Sequence, residues 1–271
     1  MNKKYFTPKK IHAYLRAAIQ LVFFLFLPSA FTTAFSGIKS VLTQIGAGNP
    51  IAWSSFLTVL LALCAYTIVF GRFFCGYACA FGTLGDAVHS LYLFLCKKCK
   101  KKPLLLKKSW KKPLSYLKYA VLLAVVLLCF LGVYGDLTGW SPWDVFSMLR
   151  SGNFKVGAYW LGCILLVLIL VGMVFCERFF CRFLCPMGAV FSLLPILPFF
   201  SVRRKREKCA KGCTACEKVC PSDLSLPEDG SWNVSGDCFQ CQKCLEICPK
   251  KNAKSSIRNF RGNEIWFTLL R

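Results

Sequence analysis

Four long apolar runs separated by lysine-rich loops, a cysteine motif that occurs twice and a cysteine-dense C-terminus predict a mostly α-helical chain. The expected architecture is a four-transmembrane-helix bundle of two tandem repeats, joined to a small C-terminal α+β domain. Hydrophobic residues make up 56% of the 271 and charged residues only 17%. An average soluble domain has roughly 25% charged residues.

The first run extends from about Ala17 to Phe35, behind Lys3, Lys4, Lys9, Lys10 and Arg16 and no acidic residue. No small-residue cleavage site marks it as a removable signal peptide, so an uncleaved first helix is expected. Pro28 within it is tolerable where neighbouring helices satisfy the freed carbonyl. The other runs span Trp53 to Phe74, Tyr116 to Tyr134 and Ala158 to Phe175. At about 1.5 Å per residue each is comparable to the roughly 30 Å of a bilayer's hydrocarbon.

The loops set the orientation. Residues 96–113 carry nine lysines and no acids, and Arg203–Arg206 is again basic. Loop 37–52 has Lys39 as its only charge, and loop 136–156 sets Asp136 and Asp144 against Arg150 and Lys155. The positive-inside rule puts both termini and 96–113 in the cytoplasm and the two neutral loops outside. A multi-pass protein of the cytoplasmic (inner) membrane is expected. The net charge of +23 could suit nucleic acid, but its placement beside apolar runs suits a lipid surface instead. The lipid bilayer is an expected partner and nucleic acid is not.

The repeat is visible in Arg72-Phe73-Phe74-Cys75-x3-Cys79, which recurs as Arg178-Phe179-Phe180-Cys181-x3-Cys185. Gly82 then matches Gly188, and the offset is 106 residues throughout (72 to 178). Each copy follows the second span of a pair, giving repeat units of about 17–95 and 116–200. Two spans per unit give both copies one orientation, related by a pseudo-two-fold along the membrane normal.

Residues 209–249 hold two further cysteine runs. The second, Cys238-x2-Cys241-x2-Cys244-x3-Cys248-Pro249, has the spacing with which bacterial ferredoxins hold [4Fe–4S] clusters. The first, Cys209-x3-Cys213-x2-Cys216-x3-Cys220-Pro221, has one extra residue between its first two cysteines, which Gly212 can absorb as a bulge. Zinc ribbons favour two separated C-x2-C pairs instead. Two [4Fe–4S] clusters are expected in a domain of residues 201–255, followed by a tail at 256–271. Iron-ligating thiolates need a reducing compartment, which agrees with a cytoplasmic location. The segment between Cys220 and Cys238 suits a hairpin, with Pro227 and Gly230 as turn formers. The resemblance to two-cluster ferredoxins implies a crossed assignment: Cys209, Cys213, Cys216 and Cys248 for one cluster, and Cys238, Cys241, Cys244 and Cys220 for the other.

Cys75, Cys79, Cys181 and Cys185 fall at the cytoplasmic edge of the second and fourth spans. Helical i, i+4 spacing would put each pair on one face, and the pseudo-two-fold would bring the pairs together. Four thiolates there suit a further iron–sulfur cluster, a copper site or a thiol–disulfide switch. Arg72 and Arg178 are expected to snorkel to the headgroups and to lower the thiol pKa values. Cys64, Cys129 and Cys163 suit simple packing within spans. Cys96-x2-Cys99 has no counterpart in the second copy, and Cys176 no partner at motif spacing.

Paired C-x3-C motifs at span ends ahead of a two-cluster tail resemble the NapH / NosR / CcoG group of polyferredoxin-like membrane proteins, over nearly the whole chain. The NapH type has this size and four-span plan. The first motif departs from the group's usual Cys-Pro ending, with Cys79-Ala80, whereas Cys185-Pro186 keeps it. The resemblance implies an electron-transfer protein working between a quinol or cytoplasmic donor and a membrane or periplasmic redox partner. The alternative it implies is an accessory or maturation protein that handles copper or another metal for an oxidoreductase. An electron-transfer subunit is favoured over a stand-alone enzyme. Haem is not expected as the relay, because the only histidines are His12 and His89, both on the cytoplasmic side.

Overall fold

The computed structural model describes residues 8–26, 30–135, 140–154, 156–196, 200–231, 233, 235–250, 252–258 and 264–265. The chain is mostly helical. Helix α1 (Pro8–Phe26) and α2 (Ala30–Gly46) divide the first apolar run in two. Pro28, expected within one continuous helix, lies outside the described residues. The expected loop at 37–52 is therefore helical through Gly46, and ends at Gly48 with φ +70°. Small residues along α2 let it lie close to α3 (Ser55–Phe70), and a Cβ at Gly37 would stand 2.5 Å from the Phe56 carbonyl oxygen.

Ser54 caps α3, its hydroxyl accepting from the Leu57 amide at 3.3 Å. Gly71, at φ +66°, ends it. The short α4 (Phe73–Tyr77) and the long α5 (Ala80–Lys98) follow, then α6 (Lys108–Leu114) and α7 (Leu117–Phe130). The second half contains α8 (Pro142–Arg150), α9 (Trp160–Phe175), a π-helical turn at Phe180–Leu184 and α10 (Pro186–Leu193). Phe81 on α5 packs against Phe180 of that turn, with the rings tilted and their centroids 4.5 Å apart.

Among the described residues one helix, Ser109–Phe130, is long and apolar enough to cross a membrane. Helices Ser55–Phe70 and Trp160–Phe175 are apolar but have 16 residues each, about 24 Å of rise. Leu123 and Leu127 on α7, and Val167 and Leu168 on α9, point outward and are exposed.

The C-terminal part is a three-stranded antiparallel sheet with two short helices. Strand β1 (Phe200–Arg203) pairs with β2 (Lys254–Arg258), Phe200 opposite Ile257, and β2 pairs with β3 (Glu264–Ile265). Helices α11 (Ala215–Lys218) and α12 (Lys243–Ile247) carry cysteines of the two runs. The segment expected as a hairpin between Cys220 and Cys238 forms no strand pair among the described residues. It instead makes an isolated bridge from Asp229 to Lys205, beside Gly230 at φ +86°. Val202, Leu226 and Ala253 form the buried centre with Cys216.

Candidate functional site

The two repeated motifs meet in the core. In the first, Cys75 lies on α4, the helix breaks after Tyr77, and Cys79 takes an extended conformation as the N-cap of α5. In the second, Cys181 lies on the π turn and Cys185 is the extended N-cap of α10, its sulfur accepting from the Gly188 amide at 3.1 Å. The continuous helix expected across each pair is thus replaced by a break, which lets the second thiol head the next helix. Ala80 and Pro186 both occupy the first helical position, where a proline costs no hydrogen bond. All four thiols are buried, at 2–6% exposure.

The four converge. The Cys79 and Cys181 thiols lie close enough to perturb each other, and Cys185 lies in the field of both Cys75 and Cys79. The nearby Cys181 thiol, against burial and with help from the Gly82 and Phe81 amides, pulls Cys79 down to about 7. Burial pushes Cys75 and Cys185 up. At Cys75 it outweighs the opposing pull of Arg72, so the expected lowering by arginine is overridden there.

Arg72 and Arg178 do not snorkel. They are 1% and 0% exposed, and each crosses to the opposite unit. Arg72 Nη2 donates to the Cys181 carbonyl at 3.2 Å, while Arg178 donates to the carbonyls of Cys75 and, at 2.9 Å, Gly76. Carbonyls left free at the helix breaks attract the guanidinium forks more strongly than a distant surface. The matched glycines make room. A Cβ at Gly82 would stand 2.7 Å from the Cys75 carbonyl oxygen, and one at Gly188 would stand 2.8 Å from Arg72 Nη2.

Each arginine has a carboxylate. Asp86 on α5 takes a fork from Arg178, Nε to Oδ1 at 3.0 Å and Nη2 to Oδ2 at 2.6 Å. Gln20 and Arg16 also reach Asp86, at 2.8 and 3.6 Å. Burial opposes the charge on Asp86, but Arg178, then Lys243 and Arg16, offset it and hold the carboxyl well below the usual range. One repeat offset beyond Asp86 stands Ser192. Arg72 pairs instead with Asp237 of the tail at 3.3 Å, an aspartate that also binds the buried Lys118. The tail backbone enters at Gly236, where a Cβ would collide with the Ser192 carbonyl oxygen.

The loop from Cys238 to Cys241 lies on the motifs. Phe239 is buried between the two guanidinium groups, its ring centroid 4.7 Å from Arg72 and 5.2 Å from Arg178. Its carbonyl rests on Gly76, where a Cβ would clash. Arg16 donates to the Cys241 carbonyl at 3.3 Å. Cys216, Cys220, Cys238, Cys241 and Cys244 line one cavity with Leu224 and Phe239. Cys220 lies in the field of Cys241, and Cys244 in the fields of Cys241, Cys238, Cys220 and Cys216, while burial pushes Cys238 up to about 12.

The other tail cysteines gather around Asn252 and two arginines. Asn252 donates its side-chain amide to Cys209 Sγ and its backbone amide to Cys248 Sγ, both at 3.2 Å. Arg204 donates to Cys216 Sγ at 3.0 Å, and Arg206 to the Cys213 carbonyl at 2.9 Å. Gly212 is left-handed at φ +67°, in the place of the extra residue. Cys96 and Cys99 lie at the far end of the 19-residue α5 from Cys79, about 28 Å along its axis. Sequence reasoning missed Asp86, Asp237, Phe239, Asn252 and Arg204; only Asp86 and Asp237 carried a signal, as rare acids in a basic chain.

Among the described residues no three His, Cys, Asp or Glu are gathered tightly enough to hold a single metal ion. Sulfurs around one zinc at about 2.3 Å must lie close together, whereas an iron–sulfur cube is ligated at its separate corners. Clustered soft thiols, several receiving N–H hydrogen bonds, fit the latter group. These residues suit [4Fe–4S] clusters.

A family model described as a 4Fe-4S binding domain matches residues 52–113 and 158–206. Each match contains one arginine–cysteine motif. An uncharacterized protein of Methanocaldococcus jannaschii is 31% identical over 86% of this chain and 90% of its own length. A putative electron transport protein of Escherichia coli, YccM, is 26% identical over 79% of this chain and 59% of its own. The ferredoxin-type protein NapH of Haemophilus influenzae is 27% identical over 71% and 65%. No solved structure matches the chain. With its 4Fe–4S domain and these relatives, the chain belongs to the NapH-like family of ferredoxin-type electron-transport proteins.

Proposed function

We propose that the protein is a membrane-bound electron conduit whose tail, residues 201–255, holds two [4Fe–4S] clusters. It passes electrons between a quinol or cytoplasmic donor and a redox partner in or across the membrane. The observation that carries this reading is the seating of the Cys238–Cys241 loop on the repeated motifs, with Phe239 between Arg72 and Arg178. One set of tail thiols then stands beside Cys75, Cys79, Cys181 and Cys185, which this reading puts at the membrane edge.

Bound [4Fe–4S] clusters supply one-electron redox chemistry. The chain's own residues set its conditions. Cys209, Cys213, Cys216 and Cys248 would hold one cluster, and Cys220, Cys238, Cys241 and Cys244 the other. Asn252 and Arg204 donate N–H groups to sulfur, which favours the electron-rich state. Leu224 and Phe239 exclude water from the second set. The exposed apolar faces of α7 and α9 support a lipid-facing surface. We place residues 1–200 in the cytoplasmic membrane as four spans in two tandem repeats, with both termini cytoplasmic. The shorter apolar helices would be accommodated by local thinning of the bilayer.

The test is metal and sulfide analysis of the full chain, purified anaerobically in detergent. Replacing Cys213 and Cys241 together by Ser should remove about eight irons and eight sulfides per chain. Zinc without sulfide in the wild-type protein would end the redox reading.

A further inference from the structure

We propose that the free end of α5 and the lysine hairpin at residues 96–113 form a docking surface for the anionic phospholipid headgroups of the cytoplasmic leaflet. The inference rests on the membrane placement proposed above and adds a lipid class and the residues that select it.

The first observation is where α5 goes. A Cβ on Gly85 would touch Met173, His89 Nδ1 lies 3.0 Å from the Val174 carbonyl oxygen, and the Tyr92 ring meets that of Phe175. From Gly85 to Tyr92 the helix rises about 10 Å, yet it advances only across the last turn of α9. It crosses the end of α9 rather than running along it. With α9 as a span, α5 lies across the cytoplasmic face. Residues Leu93 to Lys98 extend it about 9 Å beyond Tyr92.

The second is what that end exposes. Leu91, Phe94 and Leu95 stand at i, i+3 and i+4, one stripe of the helix, and are 58%, 63% and 48% exposed. Lysines follow directly. Seven of the nine in residues 96–113 are exposed, and none of those seven has a carboxylate partner among the described residues. The hairpin is held beside the helix: the Leu104 amide donates to the Tyr92 hydroxyl at 2.8 Å and the Leu106 amide to the Phe175 carbonyl at 3.2 Å. Lysines of both arms therefore share one surface with the exposed Leu104 and Trp110. Even the helix cap is a lysine, Lys100 at φ +54°, where glycine would sit without strain.

The third is the kind of charge. The hairpin has nine lysines and no arginine. Protein interfaces favour arginine and deplete lysine. An ammonium on a long apolar stem suits a headgroup phosphate above the acyl chains, and each lysine near an anionic leaflet favours it roughly fivefold. Apolar side chains set among such lysines insert at the headgroup boundary. The apolar stretch Ser109–Phe130 begins within the hairpin, so the surface is continuous with a span.

The test uses the full chain in phosphatidylcholine vesicles, with spin-labelled phosphatidylglycerol or spin-labelled phosphatidylcholine as the probe. The motionally restricted fraction of each label reports selectivity. Wild type should prefer the anionic label by about threefold or more. Lys97→Gln/Lys98→Gln/Lys100→Gln/Lys101→Gln should bring the ratio towards one, and Lys97→Arg/Lys98→Arg/Lys100→Arg/Lys101→Arg should keep it. Equal restriction of both labels by wild type overturns the proposal, as does a preference that the glutamine variant retains in full. Salt-sensitive binding of polyglutamate by a chain indifferent to the labels overturns it in favour of an acidic protein. If the glutamine variant misfolds, hydrogen exchange of wild type in nanodiscs decides. Slower exchange of residues 91–106 in phosphatidylglycerol than in phosphatidylcholine supports the surface, and equal exchange overturns it. Alkaline carbonate washing of native membranes tests the placement separately. Retention of the chain without headgroup preference defeats this surface alone. Release of a chain that still selects phosphatidylglycerol vesicles through these lysines defeats the spans and sustains the surface.

Discussion

Arg178 finds its carboxylate on the helix that follows the opposite motif, at Asp86. Arg72, its counterpart, meets Ser192 at the equivalent position and takes Asp237 from the tail instead. The Arg178 pair lies inside the helical part, almost fully buried. The Arg72 pair joins two parts of the chain, and Asp237 is 42% exposed. The two units thus share a cross-clasp but differ in who completes it. The second unit lacks a carboxylate, and docking of the tail provides one next to Cys238. Tail and motif are therefore tied by a specific ion pair as well as by the burial of Phe239.

Removing the internal pair should have the largest effect. Asp86→Asn leaves Arg178 buried and unpaired, and should destabilise the helical part by about 3–5 kcal/mol in thermal or denaturant unfolding. The pH dependence should change with it. The Asp86 pKa is lowered in the folded state, so its contribution is complete above the unfolded carboxylate value of about 3.9 and fades as pH falls below it. Asp86→Asn should therefore flatten the acid limb of the stability curve.

Asp237→Asn should cost less, about 1–3 kcal/mol, because water reaches that side. Its signature should be local, namely faster hydrogen exchange in residues 236–242 with α5 and α9 unaffected. Adding Ser192→Asp to it would restore a carboxylate for Arg72 inside the scaffold. Stability should then recover while exchange in the loop stays fast; recovery of both would show that the tail is not held by this pair. Phe239→Leu removes two cation–π contacts and should cost roughly 1–2 kcal/mol, with a larger loosening of the loop than of the fold. Cys96→Ser/Cys99→Ser should change stability by less than about 0.5 kcal/mol and leave the iron content unaltered.

Local spacing was the legible part. The Cys238 run has the gaps that a cube dictates, and the meeting of the two Arg-Phe-Phe-Cys motifs was foreshadowed by their recurrence. What could not be read was where the arginines point. Cys181 is 109 residues from Arg72, and a guanidinium beside an apolar run is equally suited to headgroups or to carbonyls freed by a helix break. The break itself hid in the C-x3-C spacing, which a continuous helix would satisfy equally well. Loop 37–52 was mistaken for the same kind of reason, because its Ser, Thr and Gly residues suit either a loop or a helix packed closely on α3. Asn252, four residues past Cys248, looks like an ordinary polar residue until the fold sets Cys209 beside it.

Phe239 closes over thiols that have almost no contact with solvent, and this fixes an order of events. Residues 201–255 leave the ribosome after both units have been made. Anything delivered to Cys75, Cys79, Cys181 and Cys185 must arrive in the interval before that last segment settles. Were those thiols to take a cofactor, the chain's direction of synthesis would double as a loading schedule, with the innermost site open until its stopper arrived.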